Sequence, residues 1–272
     1  MALGTNGPGW LFCPADRPER FEKAAAAADV VILDLEDGVA AKDREAARAA
    51  LIDTPLDPTR TVVRVNPVTT PDHGLDLKAL ARTGYTTVML AKTETPQQIA
   101  SLAPLDVVAL IETPLAALVV AELARVDNAS ALMWGAEDLF AALGGTANRN
   151  ADGSYRDVAK HVRSQTLLAA KAYGRMALDS VYLDIKDLAG LRSETDDAVA
   201  VGFDAKVAIH PTQVAVIRAG YAPTEKQVAW ARHVLDAARN ERGVFQFEGI
   251  MVDAPVLRRA ERIVALAPHP GS

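Results

Sequence analysis

Short apolar runs rich in β-branched residues recur along the chain, separated by stretches whose apolar positions repeat with helical period. The runs are Gly9–Pro14 (GWLFCP), Val30–Gly38 (VVILDLEDG), Thr61–Pro67 (TVVRVNP), Thr87–Lys92 (TVMLAK), Val107–Thr113 (VVALIET), Ala131–Asp138 (ALMWGAED), Ala177–Ile185 (ALDSVYLDI) and Ala205–His210 (AKVAIH). Most are near-continuously apolar rather than alternating, the pattern of parallel strands covered on both faces. Between them the spacing predicts helices at Glu19–Ala28, Arg44–Ile52, Gly74–Thr83, Leu115–Val126, Arg156–Tyr173 and Asp187–Val201. Strand alternating with helix eight times over predicts an α/β fold that closes into a (β/α)8 TIM barrel. A doubly wound open sheet would need a Gly-rich phosphate turn after an early strand, and the chain has none.

Beyond the eighth run lies a helical pattern from about Glu225 to Arg239, with Val228, Ala231, Leu235 and Ala238 along one stripe. Gly243–Met251 (GVFQFEGIM) follows, then Asp253-Ala254-Pro255 and a last helix to about Ala265. This assigns residues 1–222 to the barrel core and 223–272 to a closing helix and C-terminal extension of the same domain. Barrel closure does not require that extension, which makes it a candidate cover for the site or contact for a neighbouring subunit. Gly144–Tyr155 (GGTANRNADGSY) reads as a long mobile loop after the sixth strand.

The strand ends carry the chemistry. Asp34, Glu36 and Asp37 end the second run, Arg64 and Asn66 the third, Lys92 the fourth and Glu112 the fifth. Glu137 and Asp138 end the sixth, Asp184 the seventh and His210 the eighth. Core-facing residues of a barrel are aliphatic, so ionisable groups at seven of eight strand ends predict a shared polar mouth, where barrel active sites sit.

Composition narrows the partners. The 272 residues suit one large domain, half of them hydrophobic and about a quarter charged. A net charge of −6 provides no basic field for nucleic acid, but it leaves room for a small anionic substrate held by a few placed cations. One cysteine, Cys13, excludes an internal disulfide and reads as a core residue. No signal-peptide pattern precedes Trp10 and no apolar run reaches the length of a membrane span, so the expected compartment is the cytoplasm.

Glu112 and Asp138 fall on neighbouring strands, and two oxygen ligands there suit Mg2+, which completes its octahedron with water and substrate oxygens. The competing reading is that each caps the helix after it, Asp138 preceding Leu139–Leu143. Arg64 lies within an apolar strand and needs a carboxylate partner; Glu36 and Asp37 are the expected ones, for an anion clamp or for a structural ion pair. Arg17 is a second candidate anion binder or a plain loop residue, and Gly135-Ala136 lets backbone N–H groups approach a ligand. Lys92 is readable as a Schiff-base lysine or, better, as a salt-bridge partner of a neighbour such as Glu94. His210 lines the mouth or caps a turn, and Asp253 before Ala254-Pro255 has the sequence of a helix N-cap.

The segments Gly9–Ala24, Val30–Val39, Val62–Asn66, Ala109–Pro114 (ALIETP), Trp134–Leu139 (WGAEDL), Ala208–Gln213 (AIHPTQ) and Gly249–Ile263 (GIMVDAPVLRRAERI) resemble, in order, the citrate lyase β-subunit-like branch of the HpcH/HpaI aldolase superfamily. The resemblance spans nearly the whole chain and is nearest to stand-alone actinobacterial members. It implies a magnesium-dependent TIM barrel, usually trimeric. The implied chemistry cleaves or forms a carbon–carbon bond between an acyl-CoA enolate and an α-keto acid or glyoxylate. On the same basis Glu112 and Asp138 become metal ligands, Arg64 an enolate-stabilising residue, and Gly135 and Ala136 the keto-acid carboxylate site. It also raises Asp253 from helix cap to acid/base, delivered to an adjacent subunit, and disfavours a lysine Schiff base. A citryl-thioester lyase subunit of a larger complex and a non-catalytic barrel subunit remain the alternatives.

Overall fold

The computed structural model describes residues 6–239, 241 and 243–267. Eight parallel strands close into a barrel in chain order: β1 Gly9–Pro14, β2 Val30–Asp34, β3 Thr61–Val65, β4 Thr87–Leu90, β5 Asp106–Ile111, β6 Ala129–Trp134, β7 Met176–Asp179 and β8 Ala205–Ala208. The helices between and after them are α1 Phe21–Ala27, α2 Arg44–Asp53, α3 Pro71–Leu80, α4 Pro96–Ala100, α5 Pro114–Arg125, α6 Ala136–Ala142, α7 Asp157–Ala172, α8 Leu188–Val201 and α9 Pro211–Tyr221. The barrel expected from the alternation is thus the fold observed. The short α4 and the whole of α9 lacked a periodic stripe long enough to be predicted.

Several helix starts follow from local chemistry. Thr70-Pro71, Thr95-Pro96 and Thr113-Pro114 each place a threonine at the N-cap and a proline at the first helical position, where its missing N–H costs nothing. The Thr95 and Thr113 side chains accept from the backbone N–H groups of Gln98 and Ala116.

Inside the barrel, Trp10, Val30, Ile32, Val62, Met89, Val108, Leu110, Ala131, Met133, Leu178, Ala205 and Val207 form one buried cluster. Strand side chains alternate with period two, so the residue two beyond each of these also points inward, one layer nearer the C-terminal mouth. Counting on places Asp34 after Ile32, Arg64 after Val62, Glu112 after Leu110 and Gly135 after Met133 in that layer. The polar site is therefore the continuation of the apolar core, not an addition to it.

Two expectations need correction. The seventh run is strand only as far as Asp179; Asp184 is exposed, and its carboxylate accepts from the backbone N–H groups of Lys186 and Asp187 in the turn before α8. The segment after α6 is tied down by an antiparallel bridge between Arg149 and Tyr155, and the Tyr155 ring packs edge-on against Trp134 at 5.0 Å.

The chain divides into two compact units, residues 1–217 and 218–272, the break falling within α9 rather than after it. In the second unit, α10 Glu225–Ala238 and α11 Ala254–Leu266 pack with a hairpin of β9 Phe245–Phe247 and β10 Ile250–Val252 around Ala231, Val234, Val252 and Ala260. Glu248 and Gly249 turn the hairpin with positive φ at both positions, as a two-residue loop of right-handed strands requires. Residues 268–272 of the predicted extension lie outside the described residues.

Candidate active site

The inward layer at the mouth is built on ion pairs. Arg64 and Asp34 are direct partners across the β2–β3 ladder. The guanidinium donates from Nε to Asp34 Oδ1 at 2.7 Å and from Nη2 to Oδ2 at 2.6 Å. Glu36 is only the secondary partner, with Oε2 3.3 Å from Nη1, and Asp37 is not in contact range. The sequence expectation of Glu36 or Asp37 is corrected for a simple reason: strand register puts Asp34, not the residues after it, level with Arg64. Asp34 also accepts from the backbone N–H groups of Glu36 and Gly38, so the clamp and the turn beyond β2 are one unit. Phe12 lies flat beneath the guanidinium, 4.6 Å away, a favourable cation–π seat.

Glu112, after β5, is 2 % exposed, and Oε1 accepts from the Lys92 backbone N–H at 2.8 Å. Burial pushes its carboxyl up to about 8, and the negative charge of Asp138 adds to the shift against Lys92 and Arg64. Asp138 stands in the first turn of α6 rather than at the end of a strand. The capping alternative fails for both: Thr113 caps α5, and no side chain caps α6. Gly135 continues the β5–β6 ladder by donating to the Ile111 carbonyl at 2.9 Å. Its N–H is therefore engaged, and its contribution is the missing Cβ, which would lie 3.0 Å from Glu112 Oε2. The N–H groups open to an anion begin at Ala136, whose helix turn offers them no carbonyl.

Lys92 does not pair with Glu94. Its ammonium reaches Glu36 Oε1 at 2.5 Å, Asp37 Oδ2 at 3.2 Å and Asp138 Oδ1 at 3.3 Å. Carboxylates this near lift its pKa well above the usual lysine range despite burial, the opposite of what a Schiff-base amine needs. Burial pushes Glu36 up, against Arg64 and Lys92; burial also works against ionisation of the more open Asp37, but Lys92, Arg64 and the Glu36 hydrogen bond together draw it down.

The carboxylates of Asp34, Glu36, Asp37, Glu112 and Asp138 thus gather around the Arg64 guanidinium and the Lys92 ammonium. A buried carboxylate so strongly opposed by its neighbours is relieved by a divalent cation. Among the described residues no cluster of three or more His, Cys, Asp or Glu stands at metal-binding spacing. Two carboxylates from adjacent strands, all oxygen donors, fit magnesium, which takes few protein ligands. They do not fit zinc.

Arg17 has a side chain 55 % exposed and 3.5 Å from Asp16. The cations missed by the sequence reading are Arg20 and Lys23, which border a cavity of about 370 Å³ lined also by Phe12, Cys13, Ile209 and His210. Their signal was their position in the first turns after β1. His210 takes the turn role: Nδ1 accepts from the Thr212 backbone N–H at 3.3 Å at the start of α9, and the residue borders that cavity. Cys13 is buried as expected, its thiol pushed up to about 11 by burial. Asp253 caps α11, Oδ1 accepting from the Val256 N–H at 3.2 Å.

Outside the barrel wall, Asp179 collects Trp134 Nε1–H at 2.7 Å, Arg163 at 2.9 Å and the fully buried Lys206 at 2.9 Å. This outward-facing network locks β6, β7 and β8 to α7 and was not anticipated.

A closed parallel barrel whose C-terminal mouth gathers carboxylates around a clamped arginine defines a class: an α/β barrel with a charged mouth. The HpcH/HpaI aldolase/citrate lyase family model matches residues 9–211, and the chain belongs to that family. It is 62% identical over 267 residues to a citrate lyase subunit beta-like protein of Mycobacterium tuberculosis (strain ATCC 25618 / H37Rv), covering 98% of each chain. It is 31% identical over 291 residues to a human mitochondrial citramalyl-CoA lyase, covering 94% of this chain and 84% of that one. Among solved structures it is similar to protein CitE of Mycobacterium tuberculosis in complex with magnesium, acetoacetate and coenzyme A, with a TM-score of 0.93 and 62% identity over 95% of this chain and 97% of that one. Among the described residues no helix is long and apolar enough to cross a membrane.

Proposed function

We propose that this protein is a magnesium-dependent carbon–carbon lyase that cleaves, or forms, a β-hydroxyacyl-CoA of malyl or citramalyl type, with an acyl-CoA and an α-keto acid or glyoxylate on the other side of the reaction. The observation that carries the reading is the pair Glu112 and Asp138, with Glu112 buried and its carboxyl pushed up to about 8. The similar CitE structure with magnesium, acetoacetate and coenzyme A supports the same cation and the same kind of thioester for this chain.

Glu112 and Asp138 would hold Mg2+, which when bound polarises the hydroxyl and carboxylate oxygens of the substrate. Ala136 and the N–H groups after it receive the keto-acid carboxylate. Arg64 presents the edge not taken by Asp34, from Nη1, to the thioester oxygen that gains charge as the bond breaks. Asp34 and Phe12 hold that edge still, so little reorganisation is needed when charge develops. Glu36 and Asp37 anchor the Lys92 ammonium beside the site. The cavity flanked by Arg20 and Lys23 suits the phosphorylated end of the coenzyme A arm. Asp253 is proposed as the acid/base that exchanges the proton with the acyl-CoA carbon, supplied by a neighbouring subunit of a homo-oligomer, most simply a trimer. A cytoplasmic setting fits the single, reduced cysteine.

Incubation with Mg2+ and malyl-, citramalyl-, citryl- and 3-hydroxy-3-methylglutaryl-CoA, measuring acyl-CoA release, tests the proposal. Turnover should require Mg2+, stop with EDTA, and survive borohydride in the presence of keto acid. Activity that resists chelation while borohydride labels Lys92 would overturn it. Turnover only of a citryl group carried on acyl-carrier protein would point instead to a citrate lyase subunit.

A further inference from the structure

Lys92 occupies the turn after β4 with φ +49°, a left-handed conformation that residues with a side chain seldom adopt. That turn lets one residue act in two directions. Its backbone N–H meets Glu112 Oε1 at 2.8 Å, while its side chain crosses the mouth to Glu36 at 2.5 Å, Asp37 at 3.2 Å and Asp138 at 3.3 Å. One residue therefore contacts both proposed metal ligands and the two acids, Glu36 and Asp37, in the turn after the second strand. Backbone strain held at such a crossing costs stability and persists only where the surroundings over-determine it.

Resting on the magnesium reading above, we infer that Lys92 is a positioning residue that acts as a built-in stand-in for the cation: its ammonium holds the carboxylates in their binding arrangement before Mg2+ arrives, and then weakens the binding of Mg2+. The first part follows from charge. Without the ammonium, Asp37 and Asp138 would lose their ion-pair partner at the mouth, and Glu36 would keep only its 3.3 Å contact with Arg64, whose main partner is Asp34. The second part follows from position. An ammonium 3.3 Å from Asp138 Oδ1 lies beside any cation that Asp138 binds, and like charges repel there. Even with the screening of water, a single and a double charge about 5 Å apart repel enough to change a binding constant by more than tenfold.

The sign separates this from an ordinary salt bridge. If Lys92 only shaped Asp138, its removal would weaken Mg2+ binding; as a stand-in, its removal strengthens it. The test is calorimetric titration of the full chain with Mg2+ alone, alongside thermal unfolding with and without the metal. Two variants divide the residue's roles. Lys92→Met removes the ammonium and keeps the side-chain length. Lys92→Gly removes the ammonium, keeps the N–H on Glu112 and relieves the positive φ. Both should bind Mg2+ at least about tenfold more tightly than the wild type. Lys92→Met should also have a lower metal-free Tm and a larger Mg2+-induced rise. Unchanged or weaker Mg2+ binding by either folded variant would overturn the inference, as would tighter binding confined to Lys92→Gly, which would credit the backbone. The metal reading is judged separately, by whether wild type binds Mg2+ and Glu112→Gln does not.

Discussion

Replacing Gly135 by alanine adds one methyl group at the centre of the proposed metal site. The backbone does not resist, because Gly135 has φ −120° and ψ 111°, an extended conformation open to any residue. The side-chain packing does. A Cβ at Gly135 would sit 2.9 Å from Glu112 Cβ and 3.0 Å from Glu112 Oε2, where carbon atoms normally keep about 3.5–4.0 Å. Glu112 has little freedom to retreat, being buried and held by the Lys92 N–H at 2.8 Å. The carboxylate must shift by roughly 0.5–1 Å, given that spacing. The stability cost is that of modest overpacking, about 1–3 kcal/mol, or a Tm lower by about 2–10 °C. A displacement of this size at a reacting centre costs about a hundredfold in rate. Gly135→Ala should therefore remain folded, bind Mg2+ distinctly more weakly by calorimetric titration, and lose about two orders of magnitude in turnover with the best thioester. Wild-type Mg2+ affinity together with wild-type turnover would refute the placement of the cation beside Glu112.

Arg64→Met should reduce turnover by at least about a hundredfold, the scale for losing one group that stabilises developing charge. It should also lower unfolding free energy by about 3–5 kcal/mol, because Asp34 is left buried without its cation while Glu36 keeps only Lys92; normal turnover would reduce Arg64 to a structural ion pair. Asp253→Asn should keep the α11 cap and the Tm, since Asn caps about as well as Asp, yet lose most turnover. Mixed with Arg64→Met chains under demonstrated exchange it should regain partial activity, and no recovery would sink the shared site. Asp179 has a folded pKa of about 2: burial opposes ionisation, but Lys206 and Arg163 outweigh it. The sign follows: its ionised form contributes stability that is full above the unfolded value near 4 and is lost as pH falls towards 2, about 2 kcal/mol in all. Urea unfolding from pH 5 to pH 2 should show this fall in wild type and less of it in Asp179→Asn. Cys13, with its thiol near 11 and buried, should resist iodoacetamide at pH 8 until the protein is unfolded; rapid native alkylation would contradict the packing.

The barrel was legible in the chain because its signal is local and repeated. Each apolar run needs only its own residues to declare a buried parallel strand, and eight in alternation with helices admit few topologies. Glu112 and Arg64 stood out as candidates for a related reason: a charge embedded at the end of an apolar run is costly without a partner, whether that partner is a ligand, a helix end or a structural ion pair. Asp184 misled because its run continued past the point where the strand stops, and the carboxylate closes a turn instead.

Pairing was not legible, because it depends on register and on the far ends of long side chains. Asp34 rather than Glu36 clamps Arg64 because the β2–β3 ladder sets those two Cα atoms side by side. Lys92 leaves its chain neighbour Glu94 for Glu36, Asp37 and Asp138 because a positive φ after β4 swings it across the mouth. By itself, then, the sequence determined the fold, the end of the barrel where charges gather, and the carboxylates and arginine found there, all properties of local pattern and strand parity. Only the tertiary structure decided which charge answers which and that Gly135 matters for its absent Cβ, because Coulomb and contact forces act across strands, over distances that neighbourhood in sequence does not encode.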